Sequence, residues 1–230
     1  MTRRTFDPAV REQMDLEQPV TPELERDLAN LVTLNRLFGS HAIVREFLSA
    51  RLDPGRRWRI LDLATGAGDI PRLVSRLASE RRIEVEIDAV DAQSSTLEIA
   101  RRNAPPDIRF HCADIRNFGE ERIWDIVLCS LALHHFSDDD AALVLRRAAG
   151  LSRKHVLVTD LRRCTAGTLG VDLLTTLWMR EPMTRHDARI SVRRAFSFQE
   201  MAAMARRAGW THFEHQRRFC FRQALWMDFS

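Results

Sequence analysis

The sequence predicts an α/β protein built on a doubly wound, mostly parallel sheet. Three observations predict it. Apolar runs recur at residues 58–63, 83–90, 108–112, 123–130 and 155–159, short enough to be buried strands. Segments of helical spacing separate most of them, at 71–79, at 95–103 and from Ser137 onward. A glycine turn, Gly66-Ala67-Gly68, joins the first run to the first of these helices. Strands buried on both faces and alternating with helices make a parallel sheet covered on each side.

Each element has a local reason. Residues 1–20 are polar and read as partly extended. Thr21-Pro22-Glu23 opens a helix, with Thr as N-cap, Pro at the first helical position and Glu at the positive end of the dipole. Leu24, Leu28, Leu31, Val32 and Leu34 follow at helical spacing, Gly39 breaks the pattern, and 41–52 reads as a second helix. Asp53-Pro54-Gly55 is a turn before the first strand, and Pro105-Pro106 ends the helix at 95–103. Ser137 and Asp140 are spaced as a capping box, as are Ser197 and Glu200, which open a last helix ending at Gly209. Residues 210–216 and 219–226 read as a terminal antiparallel pair.

Composition narrows the function classes. Apolar residues are 45% and charged residues 29%, ordinary for a globular domain with a substantial core. No apolar run approaches the ~20 residues that span a bilayer, and the first residues lack the apolar core of a signal peptide, so a cytoplasmic protein is expected. Cys112, Cys129, Cys164 and Cys220 form no C-x-x-C pair, which argues against a zinc site or a disulfide framework; Cys112 and Cys129 read as small core residues. The net charge of +3 is modest and the arginine pairs are scattered, so no nucleic-acid partner is expected.

The glycine turn is poorly built for a phosphate chain. In G-x-G-x-x-G the third glycine brings helix and strand together at the pyrophosphate; here that position is Pro71, and no phosphate-loop pattern is present. An acid, Asp62, stands in the strand four residues before Gly66 instead. A carboxylate is unhelpful beside a pyrophosphate and useful beside an ammonium. S-adenosylmethionine carries an ammonium, a sulfonium and no phosphate. Asp91 follows the second strand, where a carboxylate can accept from both ribose hydroxyls, and Asp114 follows the third, within reach of an adenine amino group.

From Ile60 to about Val158 the chain resembles the class I S-adenosylmethionine-dependent methyltransferases of the metal-independent, small-molecule type. The matching motifs are the stretch from Asp62 to Gly68, Asp91, "CADI" after the third strand and "WDIVLCSLALHHF" in and after the fourth. The family often has glycine two residues after the first acid, where this chain has Ala64. The resemblance implies a Rossmann-like three-layer sandwich, seven-stranded with a C-terminal antiparallel hairpin. It implies an N-terminal helical cap over residues 1–52, and a core at 53–230 with a substrate lid at about 162–194. It also implies cofactor contacts from Asp62, Ala64, Gly66, Gly68, Asp91, Ala92, Asp114, Ile115 and Ser130, and no metal.

The acceptor is read by exclusion and resemblance. The fourth strand ends in Cys129-Ser130-Leu131-Ala132, without the Asn/Asp-Pro-Pro-aromatic motif of amine methylation. Leu161 rather than Asn follows Asp160, so the ligand set of metal-dependent catechol methyltransferases is incomplete. In similar metal-independent enzymes a His pair follows the fourth strand and an Asp the fifth; here these are His134, His135 and Asp160, an imidazole base with a carboxylate to orient it. In the lid, Leu173, Leu174, Leu177, Trp178 and Met183 offer an apolar wall, and His186, Asp187 and Arg193 polar contacts. The expectation is O-methylation of a phenol or enol in a small aromatic or polyketide-like secondary metabolite, by an enzyme that is a candidate homodimer with no membrane partner. C-methylation of a quinone-like ring, a nicotinamide-dependent oxidoreductase and a non-catalytic binding module are the alternatives.

Overall fold

The computed structural model describes residues 4–10, 12–119, 123–164 and 182–229. One seven-stranded sheet carries the molecule. Its strands are β1 (Trp58–Leu63), β2 (Val85–Asp91), β3 (Ile108–Cys112), β4 (Trp124–Ser130), β5 (Ser152–Leu161), β6 (Glu214–Arg218) and β7 (Arg222–Asp228). They lie in the order β3-β2-β1-β4-β5-β7-β6. The first five are parallel, and β7 runs antiparallel between β5 and β6.

Alternate strand residues point to opposite faces. Leu61, Leu63, Val127, Cys129, Val156 and Val158 pack on one face against α5 (Asp138–Leu151) and α7 (Phe198–Arg207). Ile60, Ile126, Leu128 and Leu157 pack on the other against α2 (Ser40–Ser49) and α3 (Asp69–Arg81). Both faces are therefore buried, which is why the strands read as nearly continuous apolar runs. α1 (Pro22–Leu37), α4 (Ser94–Arg102) and α6 (Pro182–Arg194) complete the described helices.

The caps act where the residues predict. Thr21 accepts from Leu24 N at 3.2 Å, and Ser197 and Glu200 form a complete capping box. At α5, Ser137 Oγ accepts from Asp140 N at 3.1 Å and donates to the Asp140 carboxylate, so the aspartate side chain does not reach back to the Ser137 backbone.

Three expectations shift. β5 is longer than 155–159, because Ser152 already pairs with Trp124 and the far end pairs with β7. The hairpin starts later than 210: Trp210 is a core residue, 2% exposed, whose Nε1 donates to Leu145 O at 3.0 Å. A buried loop aromatic and a strand aromatic look alike in sequence. Cys129 is buried, but Cys112 ends an edge strand and is exposed. All four cysteines are free. Among the described residues no helix is long and apolar enough to cross a membrane.

Candidate active site

The sheet order reverses between β1 and β4, and ligands of such sheets bind at the carboxyl ends of the strands beside that reversal. A cavity of about 510 Å³ opens there. Its floor is the glycine turn and the ends of β1, β2 and β4. Its walls are α1, α6 and, ahead of α1, Phe6, Pro8, Glu12, Met14 and Asp15.

The turn is tight because three alternate residues take positive φ: Ala64 at 56°, Gly66 at 52° and Gly68 at 73°. The two glycines serve different ends. A Cβ on Gly66 would meet nothing, so its openness belongs to the cavity, whereas a Cβ on Gly68 would lie 3.2 Å from Ala100 Cβ and 3.3 Å from Phe110 Cε1. Gly68 thus sets how closely α3 approaches α4 and β3. Gly68→Ala is expected to cost about 2 kcal/mol, from left-handed strain plus overpacking, read as a fall in the chemical-denaturation midpoint. Ala64 adopts the left-handed conformation with a side chain, the conformation for which glycine is better suited.

Asp62 is 1% exposed, borders the cavity, and among the described residues neither of its carboxylate oxygens has a hydrogen-bond partner. Burial, with Asp69 and Asp91 nearby, pushes its carboxyl up to about 8 against the downward pull of the nearby Thr65 hydroxyl. Asp91 is held firmly: Gly66 N donates to Oδ2 at 2.8 Å and Gln93 N to Oδ1 at 2.9 Å. Burial raises its carboxyl as well. Ala92, Ile115 and Ser130 line the same cavity, with Ser130 Oγ 2.9 Å from Thr159 Oγ1. Asp114 also lines it, but Arg116 already occupies its carboxylate, with Nη2 donating at 2.5 Å and Nε to both oxygens at 3.0 Å, which lowers its carboxyl.

The two histidines differ sharply. His134 is 4% exposed, and its Nδ1 lies 2.6 Å from Asp160 Oδ1. Asp160 is fully buried and also accepts from the backbone N–H groups of His134 and Leu161, at 3.0 and 2.7 Å. The carboxylate thus fixes the ring and commits Nδ1, leaving Nε2 without a partner among the described residues. His135, whose ring centroid is 4.3 Å from that of His134, sets Nδ1 2.8 Å from Asp15 Oδ2 and Nε2 3.9 Å from Glu12 Oε2. Burial alone would lower its pKa, but the Glu12 and Asp15 carboxylates outweigh it and hold the imidazolium up to about 10. At neutral pH His135 already carries its proton and has no room for another.

Glu12, His134 and His135 each bring one potential ligand atom within 4.8 Å of the others, a donor set suited to a divalent ion. The His135 proton meets the same demand for positive charge.

The acids beside His135 were missed in the sequence because residues 1–20 read only as polar. Their placement is tertiary. Asp187 of α6 accepts from Gln13 N at 2.8 Å and Met14 N at 3.1 Å, Ser191 donates to Glu12 at 2.8 Å, and Arg4 is held by Asp138 and by the carbonyls of Phe136 and Arg194. From α6 it is Asp187, Ala188, Ser191, Val192 and Arg194 that line the cavity. His186 and Arg193 are exposed on other faces of the helix and do not line it. His186 pairs with Asp187 at 3.0 Å. Leu173, Leu174, Leu177, Trp178 and the Met183 side chain lie outside the described residues.

Comparison with known proteins names this arrangement. The family profile of a methyltransferase domain matches residues 60–155, the segment that builds β1 through β4, the glycine turn and the His pair. These residues form a class I S-adenosylmethionine-dependent methyltransferase domain. Over 113 residues the chain is 33% identical to the demethylmenaquinone methyltransferase of Thermotoga maritima, a match covering 46% of this chain and 47% of that protein, about half its length. Two solved structures share the fold. An O-methyltransferase family protein from Burkholderia thailandensis has a TM-score of 0.63 at 20% identity, covering 86% of this chain and 57% of that one. The plantazolicin methyltransferase BpumL, solved with S-adenosylhomocysteine and a pentazolic substrate analogue, has a TM-score of 0.62 at 13% identity, covering 95% and 99%. The donor fits the methyltransferase domain on its own chemistry. Asp62 is a buried carboxylate with no partner, turned to a cavity whose ligand carries an ammonium, and the Asp91 oxygens keep lone pairs for hydroxyl groups.

Proposed function

We propose that the chain transfers a methyl group from S-adenosylmethionine to a hydroxyl oxygen, phenol or enol, of a small and largely apolar metabolite, without a metal, in secondary metabolism. The observation that carries this reading is the buried His134–Asp160 pair, whose free Nε2 borders the cavity that Asp62 also borders. Bound there, S-adenosylmethionine supplies a methyl group on a sulfonium, whose leaving group departs neutral and needs no acid. The work left to the protein is orientation and removal of one proton. His134 takes that proton at Nε2, and Asp160 balances the imidazolium that results. His135, positive beside it, favours the oxyanion. Leu28, Leu31, Val32, Leu34, Phe38, Phe136 and Val192 give the acceptor an apolar surround. Asp62 and Asp91 hold the donor's ammonium and ribose.

A second reading is methylation of a ring carbon, favoured by the similarity to a demethylmenaquinone methyltransferase. The same base then takes the proton of a hydroquinone hydroxyl, the ring carbon takes the methyl group from sulfur, and loss of that carbon's hydrogen as a proton, with a proton returned to the oxygen, restores the aromatic ring.

The test is incubation with methyl-labelled donor and matched phenols and hydroquinones, with products resolved by mass spectrometry and proton NMR. Label on oxygen supports the first reading and label on a ring carbon the second; no transfer to any acceptor would sink both. Because the His135 proton fills the Glu12–His135 cluster, chelator treatment is expected to leave turnover unchanged. Loss of turnover restored by a divalent ion would reassign Glu12, His134 and His135 as metal ligands.

A further inference from the structure

Three described arginines line the cavity, and two of them are already satisfied. Arg116 is spent on Asp114 and Asp140, and Arg194 on the carbonyls of Asp7 and Val10. Arg222 is different. It is only 7% exposed, and its Nε donates to Ser40 Oγ at 3.1 Å. Its Nη1 and Nη2 meet no acceptor among the described residues. The ring of Phe38, 6.0 Å from Cζ, supplies no lone pair. Asp160 lies beside it in the sheet, next to the Leu161 that pairs with Arg222, and attracts it through space, but the hydrogen bonds of that carboxylate go to His134 and Leu161 and not to Arg222. Burial pushes the guanidinium down to about 10, and the attraction of Asp160 and Cys220 only partly offsets it.

A buried guanidinium whose Nη groups meet no acceptor is costly, and a buried polar group without a partner calls for a ligand. Position says which ligand. Arg222 opens β7, three strands across the sheet from the β1 that carries Asp62, roughly 14 Å at ~4.8 Å per strand. The acids of β1 and β2 serve the donor, whereas Arg222 stands on the far side of the His134–Asp160 pair. We infer that Arg222 anchors a carboxylate carried by the methyl acceptor, in addition to the hydroxyl that is methylated. The acceptor is then a hydroxy acid with an apolar body. This rests on the acceptor reading above and names its chemical class. A planar guanidinium with both Nη groups free is shaped for the two oxygens of a carboxylate.

The test uses 3-hydroxy-2-naphthoate and its neutral amide as probes, bound to the S-adenosylhomocysteine-loaded protein and followed by calorimetry. The parent is expected to bind the acid about 10- to 100-fold more tightly than the amide, the range of a charge-assisted hydrogen-bonded contact. In Arg222→Gln the ratio falls to near one, in Arg222→Lys part of it returns, and affinity for S-adenosylhomocysteine stays as in the parent. Four results would overturn the inference: no preference for the acid in the parent, an unchanged ratio in Arg222→Gln, a parallel loss for acid and amide with a lowered Tm, or a loss of S-adenosylhomocysteine affinity. The third would make Arg222 a structural residue, and the last would assign it to the donor's own carboxylate. Failure of the acceptor reading looks different: the acid preference persists in binding, but no labelled methyl reaches oxygen or carbon of any hydroxy acid.

Discussion

His134→Ala is expected to lower kcat for a weakly acidic phenol by about 10²- to 10⁴-fold, the usual worth of a positioned general base, while S-adenosylhomocysteine affinity is unchanged. The expectation follows from what each atom of the ring is doing. Nδ1 is committed to Asp160 at 2.6 Å, so proton transfer falls to Nε2. Asp160→Asn keeps the shape but replaces the carboxylate that balances the imidazolium, and a smaller loss in kcat is expected. A structural role for His134 would lower activity evenly across acceptors. A base role makes the deficit shrink as the acceptor becomes more acidic, because a phenol already ionised needs no base. The check is therefore kcat measured for parent and variant over a series of phenols of graded acidity. Equal kcat in parent and both variants would remove His134 and Asp160 from the mechanism. His135→Gln probes a different property. It removes the proton that answers Glu12 and Asp15, so weakening is expected in acceptor turnover rather than in donor binding.

The second large effect concerns Asp62. Asp62→Asn is expected to weaken S-adenosylhomocysteine binding by about 10- to 100-fold, through loss of a buried charge-assisted contact. The same substitution is expected to raise Tm at neutral pH, because it removes a carboxylate that folding buries without a partner. The two effects run in opposite directions, which separates a binding role from a general loss of structure. The pH dependence has a definite sign. With the native carboxyl at about 8 against 3.8 in the unfolded chain, the unfolded state ionises first as pH rises. This group's contribution to stability therefore declines between pH 3.8 and about 8 and is level above that. Binding of a ligand ammonium requires the ionised form, so association below pH 8 releases a proton. Affinity rises with pH by up to tenfold per unit and then flattens near 8. Calorimetry in buffers of different ionisation enthalpy reads that proton directly. In Asp62→Asn the release vanishes; a parent that releases no proton would mean that Asp62 is not the ammonium's partner.

The placement at the cavity of the residues proposed for the donor was legible because it is local in sequence. Asp62, Gly66 and Gly68 lie within one strand–turn–helix unit, and Asp91 ends the neighbouring strand, so a few residues of spacing specify their relation. The turn's positive φ angles are a backbone demand that glycine announces in advance. Asp114 shows where such reading thins out: its place after β3 is local, but its capture by Arg116 and the closeness of Asp140 depend on side chains converging from two elements. The acceptor end was less legible. His186 and Arg193 looked as suitable as any polar residue of α6, and only the helix's rotation against residues 12–15 decides that Asp187, Ser191 and Arg194 face the cavity instead.

The sequence by itself determined a doubly wound sheet, a glycine turn without the third glycine of a pyrophosphate site and an acid in the strand before it, because strand periodicity, backbone conformation and charge at a strand end are set over a few neighbouring residues. Only the tertiary structure decided which histidine keeps a free nitrogen and which holds a proton, and that Arg222 borders the cavity with no acceptor for its Nη groups among the described residues. Those properties arise from groups far apart in the chain, Glu12 and Asp15 against His135, Asp160 against His134 and the Ser40 hydroxyl against Arg222, whose charges and dipoles act on one another only once folding has removed the water between them.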